Sequence, residues 1–191
     1  MEYVKVNITK IIDDSSYPTF IEFELVDIHG KHHLFRDKLP IVSFENEIDP
    51  PCEGELQCKA IKKSGDVITI DTSVPWDVDS VEGETIFEVS AELVFEWMDI
   101  KVDGDIGSQG GLVICDEEYK DSCRITLEKL PDRYVITCGI YGAFCHTAYC
   151  RLSDEKYQQY QRMKRDLREF IDRETTVEEE LRFYEDFANK Y

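Results

Sequence analysis

Apolar residues recur at every second position through the first half of the chain. Val4, Val6 and Ile8 alternate with Lys5 and Asn7, and Ile21, Phe23 and Leu25 alternate with Glu22 and Glu24. A period of two marks a strand with one face in a core and the other in water. His29-Gly30 supplies a tight turn into Lys31 to Arg36. Leu39-Pro40 and then Asp49-Pro50-Pro51 interrupt the pattern, because proline has no N–H to give a ladder. Gly54 to Ile61 and Val67 to Thr72 make a further pair through Lys63-Ser64-Gly65-Asp66, and Thr85 to Val89 closes the set. Five or six short strands at this spacing suggest a small barrel or sandwich, closed to hide its edges. The expectation adopted is a small antiparallel β-barrel over residues 1–97.

The period then changes. Leu112 to Cys115, Arg124 to Glu128 and Tyr134 to Cys138 are strand candidates, and Gly139-Ile140-Tyr141-Gly142 turns into a fourth, Ala143 to Arg151. Ser153 is placed to cap a helix, with Asp154 and Glu155 in its positive first turn. Tyr157, Tyr160, Leu167 and Ile171 form its predicted core stripe. Thr175 with Glu178 fits a capping box for a last helix, on which Val177, Leu181, Tyr184, Ala188 and Tyr191 share one side. Strands followed by helices predict an α+β domain over residues 98–191, an antiparallel sheet with two C-terminal helices on one face. The boundary is expected between Trp97 and Gly104, where Asp103-Gly104-Asp105 offers a turn.

Charge narrows the function classes. The chain of 191 residues has a formal net charge of −19. Residues 1–97 hold 21 acids against 8 bases, and residues 98–191 hold 20 against 14. Such a balance opposes nucleic acid, whose binders need Lys and Arg to displace counterions, and it opposes anionic lipid surfaces. With 42% apolar residues the chain can still bury a core. No apolar run has the length to span a bilayer, and the start shows no secretory pattern. The seven cysteines are odd in number. Cys58, Cys115, Cys123 and Cys138 fall in or beside strand-like runs, which predicts buried reduced thiols and a cytoplasmic protein.

The acids are also concentrated. Between Lys63 and Lys101 there is no Lys or Arg, yet the stretch carries ten carboxylates. Its strand-like segments predict that these acids point outward from a folded surface, which would attract a cationic partner. Trp76, Asp77, Asp79, Glu82, Glu84 and Glu88, with Tyr141 and Phe144 at a predicted hairpin tip, are the candidate partner-binding residues. No catalytic, cofactor-binding or metal-ligating residue is predicted. The three histidines His29, His32 and His33 read as an exposed turn. Cys145 and His146, adjacent on a strand, face opposite sides and cannot readily share one ion. A cysteine nucleophile would need Cys138 paired with His146 across the hairpin.

Gly110 to Ile114, Arg124 to Glu128, Ile136 to Gly142 and His146-Thr147, followed by an acid-capped helix, resemble immunity proteins of bacterial polymorphic toxin systems. Asp71 to Trp76 and Glu82 to Glu88 resemble a small β-barrel module of uncharacterised bacterial proteins. The resemblance implies a non-enzymatic protein that neutralises a cognate toxin by tight binding. A basic, nuclease-type toxin suits the sign of the charge. The alternatives are a general protein-interaction module and a hydrolase using Cys138 and His146.

Overall fold

The computed structural model describes residues 2–45, 47–101, 104–150 and 156–191. The expected turn at Asp103, the last residue of the expected fourth strand, Arg151, and the expected Ser153 cap with Asp154 and Glu155 lie outside the described residues. The fold is α+β, and the chain divides into two compact units, Met1–Glu96 and Trp97–Tyr191.

The first unit is a single antiparallel sheet. Its strands are β1 (Glu2–Asp13), β2 (Phe20–Val26), β3 (His32–Lys38), β4 (Cys52–Ser64), β5 (Val67–Asp71), β6 (Ile86–Ser90) and β7 (Val94–Glu96). The order is β3-β2-β1-β4-β5-β6, and β7 pairs with β1 at Glu2, Tyr3 and Val4. β1 and β4 are much longer than the short strands expected. Pairing shifts at Ile8/Lys10 and Ile11/Asp13 in β1 and at Ala60/Lys62 in β4 bend the sheet. It curls into a half-barrel around Val4, Val6, Ile8, Phe23, Leu56 and Ile70, all buried. The curl brings its ends together. Phe35 of β3 stacks on Phe23 at 5.1 Å and meets Phe87 of β6 edge-on at 5.6 Å.

The second unit holds β8 (Met98–Asp99), β9 (Leu112–Tyr119), β10 (Cys123–Lys129), β11 (Tyr134–Ile140) and β12 (Phe144–Cys150), in the order β12-β11-β10-β9-β8. Two helices follow, α1 (Lys156–Ile171) and α2 (Val177–Lys190). The registers align Glu117, Ile125, Cys138 and His146 in one row on one face. Contacts to Tyr160 of α1 and Phe187 of α2 identify this as the helix-covered face. The buried side of α1 is Tyr160, Met163, Lys164, Leu167, Arg168 and Phe170, while Tyr157 is exposed. The cap of α2 is Thr176 with Glu179, one residue after the expected pair. Its packed residues are Phe183, Tyr184 and Phe187, and the expected Val177 and Leu181 face solvent. The aromatic cluster of Phe144, Phe170 and Phe187 rotates the helix away from the aliphatic pair.

A charged pair lies under α1. The ammonium of Lys164 is 2.8 Å from both carboxylate oxygens of Glu117, and the Tyr160 hydroxyl donates to the same carboxylate at 3.0 Å. Lys164 also sits 4.8 Å over the ring of buried Trp97, which stacks on Tyr119. Removing one partner of a buried pair strands the other charge. Glu117→Ala is therefore expected to cost about 3–5 kcal/mol in urea unfolding. The double variant Glu117→Leu/Lys164→Met is expected to recover most of that loss.

Candidate functional site

Trp76, Asp77, Asp79, Glu82 and Glu84 all lie on the loop between β5 and β6. Its neck is tied by backbone and side chain. The Thr72 amide donates to the Thr85 carbonyl at 2.9 Å, and the buried Thr72 hydroxyl donates to the Val78 carbonyl at 2.7 Å. The Asp71 carboxylate accepts from the Ser73 hydroxyl at 2.7 Å and amide at 2.9 Å, and these bonds hold its pKa below the usual range. So anchored, the loop presents Trp76 with 59% of its surface exposed. The ring is not adrift: its Nε1 donates to Gln57 of β4 at 3.0 Å. Asp77 adopts a left-handed φ of 56°, a conformation aspartate tolerates better than most residues. Asp77 and Asp79 are exposed, and neither makes an ion pair among the described residues.

The rest of the loop folds back onto β3. The Val81 amide donates to the Leu34 carbonyl at 2.7 Å, and Ser80 bridges Phe35. This brings the glutamates against the turn between β2 and β3. Lys31 Nζ lies 3.0 Å from Glu82 and 3.3 Å from Glu84. The exposed Glu88 has His29 at 3.9 Å. The acidic run thus has two parts, one unopposed around Trp76 and one partly neutralised at this seam.

His33 departs from the expected exposed turn. It is buried, edge-on to Phe87 at 4.7 Å, with Nε2 3.0 Å from Asp27 and Nδ1 3.1 Å from Glu84. His32, its neighbour, points outward to Glu24. His33, Glu82 and Glu84 place ligand atoms within 4.8 Å of one another, a set able to hold a cation. The Lys31 ammonium already bonds both glutamates. Sequence reasoning missed Asp27, which bonds His33 six positions on, and Lys31, whose partners in the loop are some fifty positions away. An Asp at one end of a Gly-containing turn was the available signal.

Tyr141 and Phe144 belong to the other unit. Tyr141, at the turn between β11 and β12, is half exposed, and its hydroxyl donates to Glu118. Partial burial and that carboxylate push its pKa up to about 12. Phe144 is half-buried and stacks on Tyr184 of α2 at 5.0 Å. Cys138 and His146 are direct cross-strand partners on the helix-covered face. Burial pushes the Cys138 thiol up to about 12 and lowers His146. A thiol so placed stays protonated at neutral pH. All seven cysteines are free, with Cys145 exposed.

Compared with family models, curated proteins and solved structures, the chain matches none. No helix among the described residues is long and apolar enough to cross a membrane.

The Asp27 contact gives a pH signature. The hydrogen bond from His33, reinforced by the Lys31 and His29 amides, lowers the Asp27 pKa from 3.8 to about 2. A depressed carboxylate stabilises the fold fully above its unfolded pKa and loses that contribution as pH falls through the folded one. The stability gap between the native chain and Asp27→Asn is expected to shrink as pH drops from 4 towards 2. Thermal melts across that window check it, and a gap that stays constant contradicts it.

Proposed function

We propose that the protein is a non-enzymatic acidic binding protein that neutralises a cognate, basic toxin domain, with a nuclease-type toxin best suited to its charge. The observation carrying this reading is the exposed, hydrogen-bonded Trp76 beside the unopposed Asp77 and Asp79. An aromatic anchor held in one orientation loses little entropy on docking, and flanking carboxylates steer a cationic partner inward. Negative charge at the rim sets the association rate, and the anchor sets the dissociation rate. The sequence resemblance to toxin-system immunity proteins supports the same reading. A cytoplasmic location follows from the free cysteines and from the partner proposed. The hydrolase reading has less support, because Cys138 is buried beneath the helices with a raised pKa.

One observation favours a second reading. Glu82 and Glu84 are engaged by Lys31, so part of the acidic run serves the fold itself. On that reading the chain is a general interaction module whose charge aids solubility.

The adjacent reading frame is expected to encode a basic domain, and the test uses that domain. Co-expression with the native chain is expected to relieve its toxicity, and surface plasmon resonance to show tight binding. Asp77→Lys/Asp79→Lys is expected to slow association and flatten its salt dependence. Trp76→Ala is expected to speed dissociation about tenfold or more. Unaltered rates in both variants would remove the loop from the interface and with it the physical basis of the proposal.

A further inference from the structure

The sheet of the second unit has a second face, turned away from the helices. Arg124 and Thr126 on β10 and Thr137 and Gly139 on β11 alternate with the helix-facing Ile125 and Cys138, so they point to this side. A cavity of about 360 Å³ opens there, within the size range of small-molecule sites. Part of its wall is the segment Ile106 to Ser108.

That wall is seated by a buried acid. Glu128 is fully buried and accepts from the Gln109 amide at 3.1 Å, the Gly111 amide at 3.1 Å and the Ser108 hydroxyl at 3.3 Å. Gly107 passes so near that a Cβ on it would lie 2.2 Å from the Glu128 carboxyl carbon. Gly107 therefore owes its missing side chain to this close approach, while Gly110 answers to a left-handed φ of 79°.

The charges that the described residues turn to the cavity are all of one sign. Among the described residues its charged lining consists of Arg124 and Lys101, with no Asp or Glu. In a chain of net charge −19 this is a selective arrangement. The neighbouring acids are turned to holding the lining in place. Asp116, whose side chain is fully buried, takes Arg124 Nε at 2.8 Å and Nη2 at 2.5 Å, and the Thr126 hydroxyl at 2.9 Å. Glu118 takes the hydroxyl of Tyr141, which also lines the cavity. The Arg124 fork is thus fixed with Nη1 unpaired among the described residues, and 36% of its side chain is exposed. The Thr137 hydroxyl is shielded from solvent and has no hydrogen-bond partner among the described residues. A buried hydroxyl without a partner is costly, and a ligand acceptor would satisfy it.

We propose that this cavity is a binding site for a small oxyanion, a carboxylate or phosphate group carried by a small molecule. Arg124 Nη1 and the Lys101 ammonium supply the charge, and Thr137 supplies a neutral donor. Asp116 acts as the positioning residue for Arg124. The inference stands apart from the acidic loop of the first unit and does not require a protein partner.

Titration of the full chain with sodium phosphate and, separately, sodium succinate at constant ionic strength tests it. The readout is the ¹H–¹⁵N shift of Arg124 Nε–H and of the Gln109 and Gly111 amides. Saturable shifts are expected with at least one salt, and the stronger of the two identifies the group. Lys101→Ala and Thr137→Val are expected each to weaken that binding about fivefold while leaving the melting temperature unlowered. Thr137→Val keeps the side chain's shape and leaves no buried group unpaired, so a folding defect is not expected to obscure the result. Shifts that never saturate, that sodium chloride reproduces, or that persist unchanged in both variants overturn the proposal.

Discussion

Phe35 and Phe87 belong to the first and last strands of the six-strand path in the first unit, yet their rings meet. The placement of the loop between β5 and β6 depends on this closure. A flat sheet would leave the loop between β5 and β6 with nothing to lie against. Because the sheet curls, the second part of the loop reaches β3 and bonds to Leu34 and Phe35. The Thr72 neck then leaves the first part with one way to go, outward, carrying Trp76 and two aspartates into solvent. Apolar burial makes the curl favourable, and the bulges in β1 and β4 make it geometrically possible.

The same curl sorts the acids. Glu82 and Glu84 are on the side that meets the turn between β2 and β3, so Lys31 neutralises them at short range and His33 hydrogen-bonds Glu84. Asp77 and Asp79 are on the side that meets water. Their sequence neighbourhood is alike, but their electrostatic roles are opposed. A carboxylate within hydrogen-bond reach of an ammonium presents little field to a distant partner, whereas an unpaired one presents its full screened charge. The proposed steering of a cationic partner therefore rests on fewer groups than the composition suggests.

Much of the architecture was legible from period and punctuation. Val4/Val6/Ile8 and Ile21/Phe23/Leu25 are buried as their alternation requires. The α+β order followed from strands giving way to helical spacing. What escaped were contacts set by long-range closure. His33 was read with its turn, yet it is buried by Phe87, over fifty residues on. Val177 and Leu181 fit a helical stripe as well as Phe183 and Phe187 do, and ring packing against Phe144 and Phe170 decided between them. Lys164 is a charged residue at a core position of α1, legible only once Glu117 is placed opposite. The cavity beside Arg124 was not legible at all. Its residues come from four segments, and the glycines that shape it read as ordinary turn formers.

Two carboxylates show how local geometry separates a structural contact from a site. Asp27 holds His33, and Asp116 holds Arg124, each by a short bond that fixes the ring or fork in place. In the first case the far side of the side chain meets another carboxylate of the same chain, Glu84, so its hydrogen-bonding capacity is consumed internally. In the second, the bidentate grip uses one edge of a five-donor guanidinium and leaves the other facing an open space with no acid in its lining among the described residues. Orientation without satisfaction is the condition for recognition, since a fixed and unfilled donor gains a bond on binding at little entropic loss. By that criterion the seam at His33 serves closure, and the face at Arg124 is built to receive something.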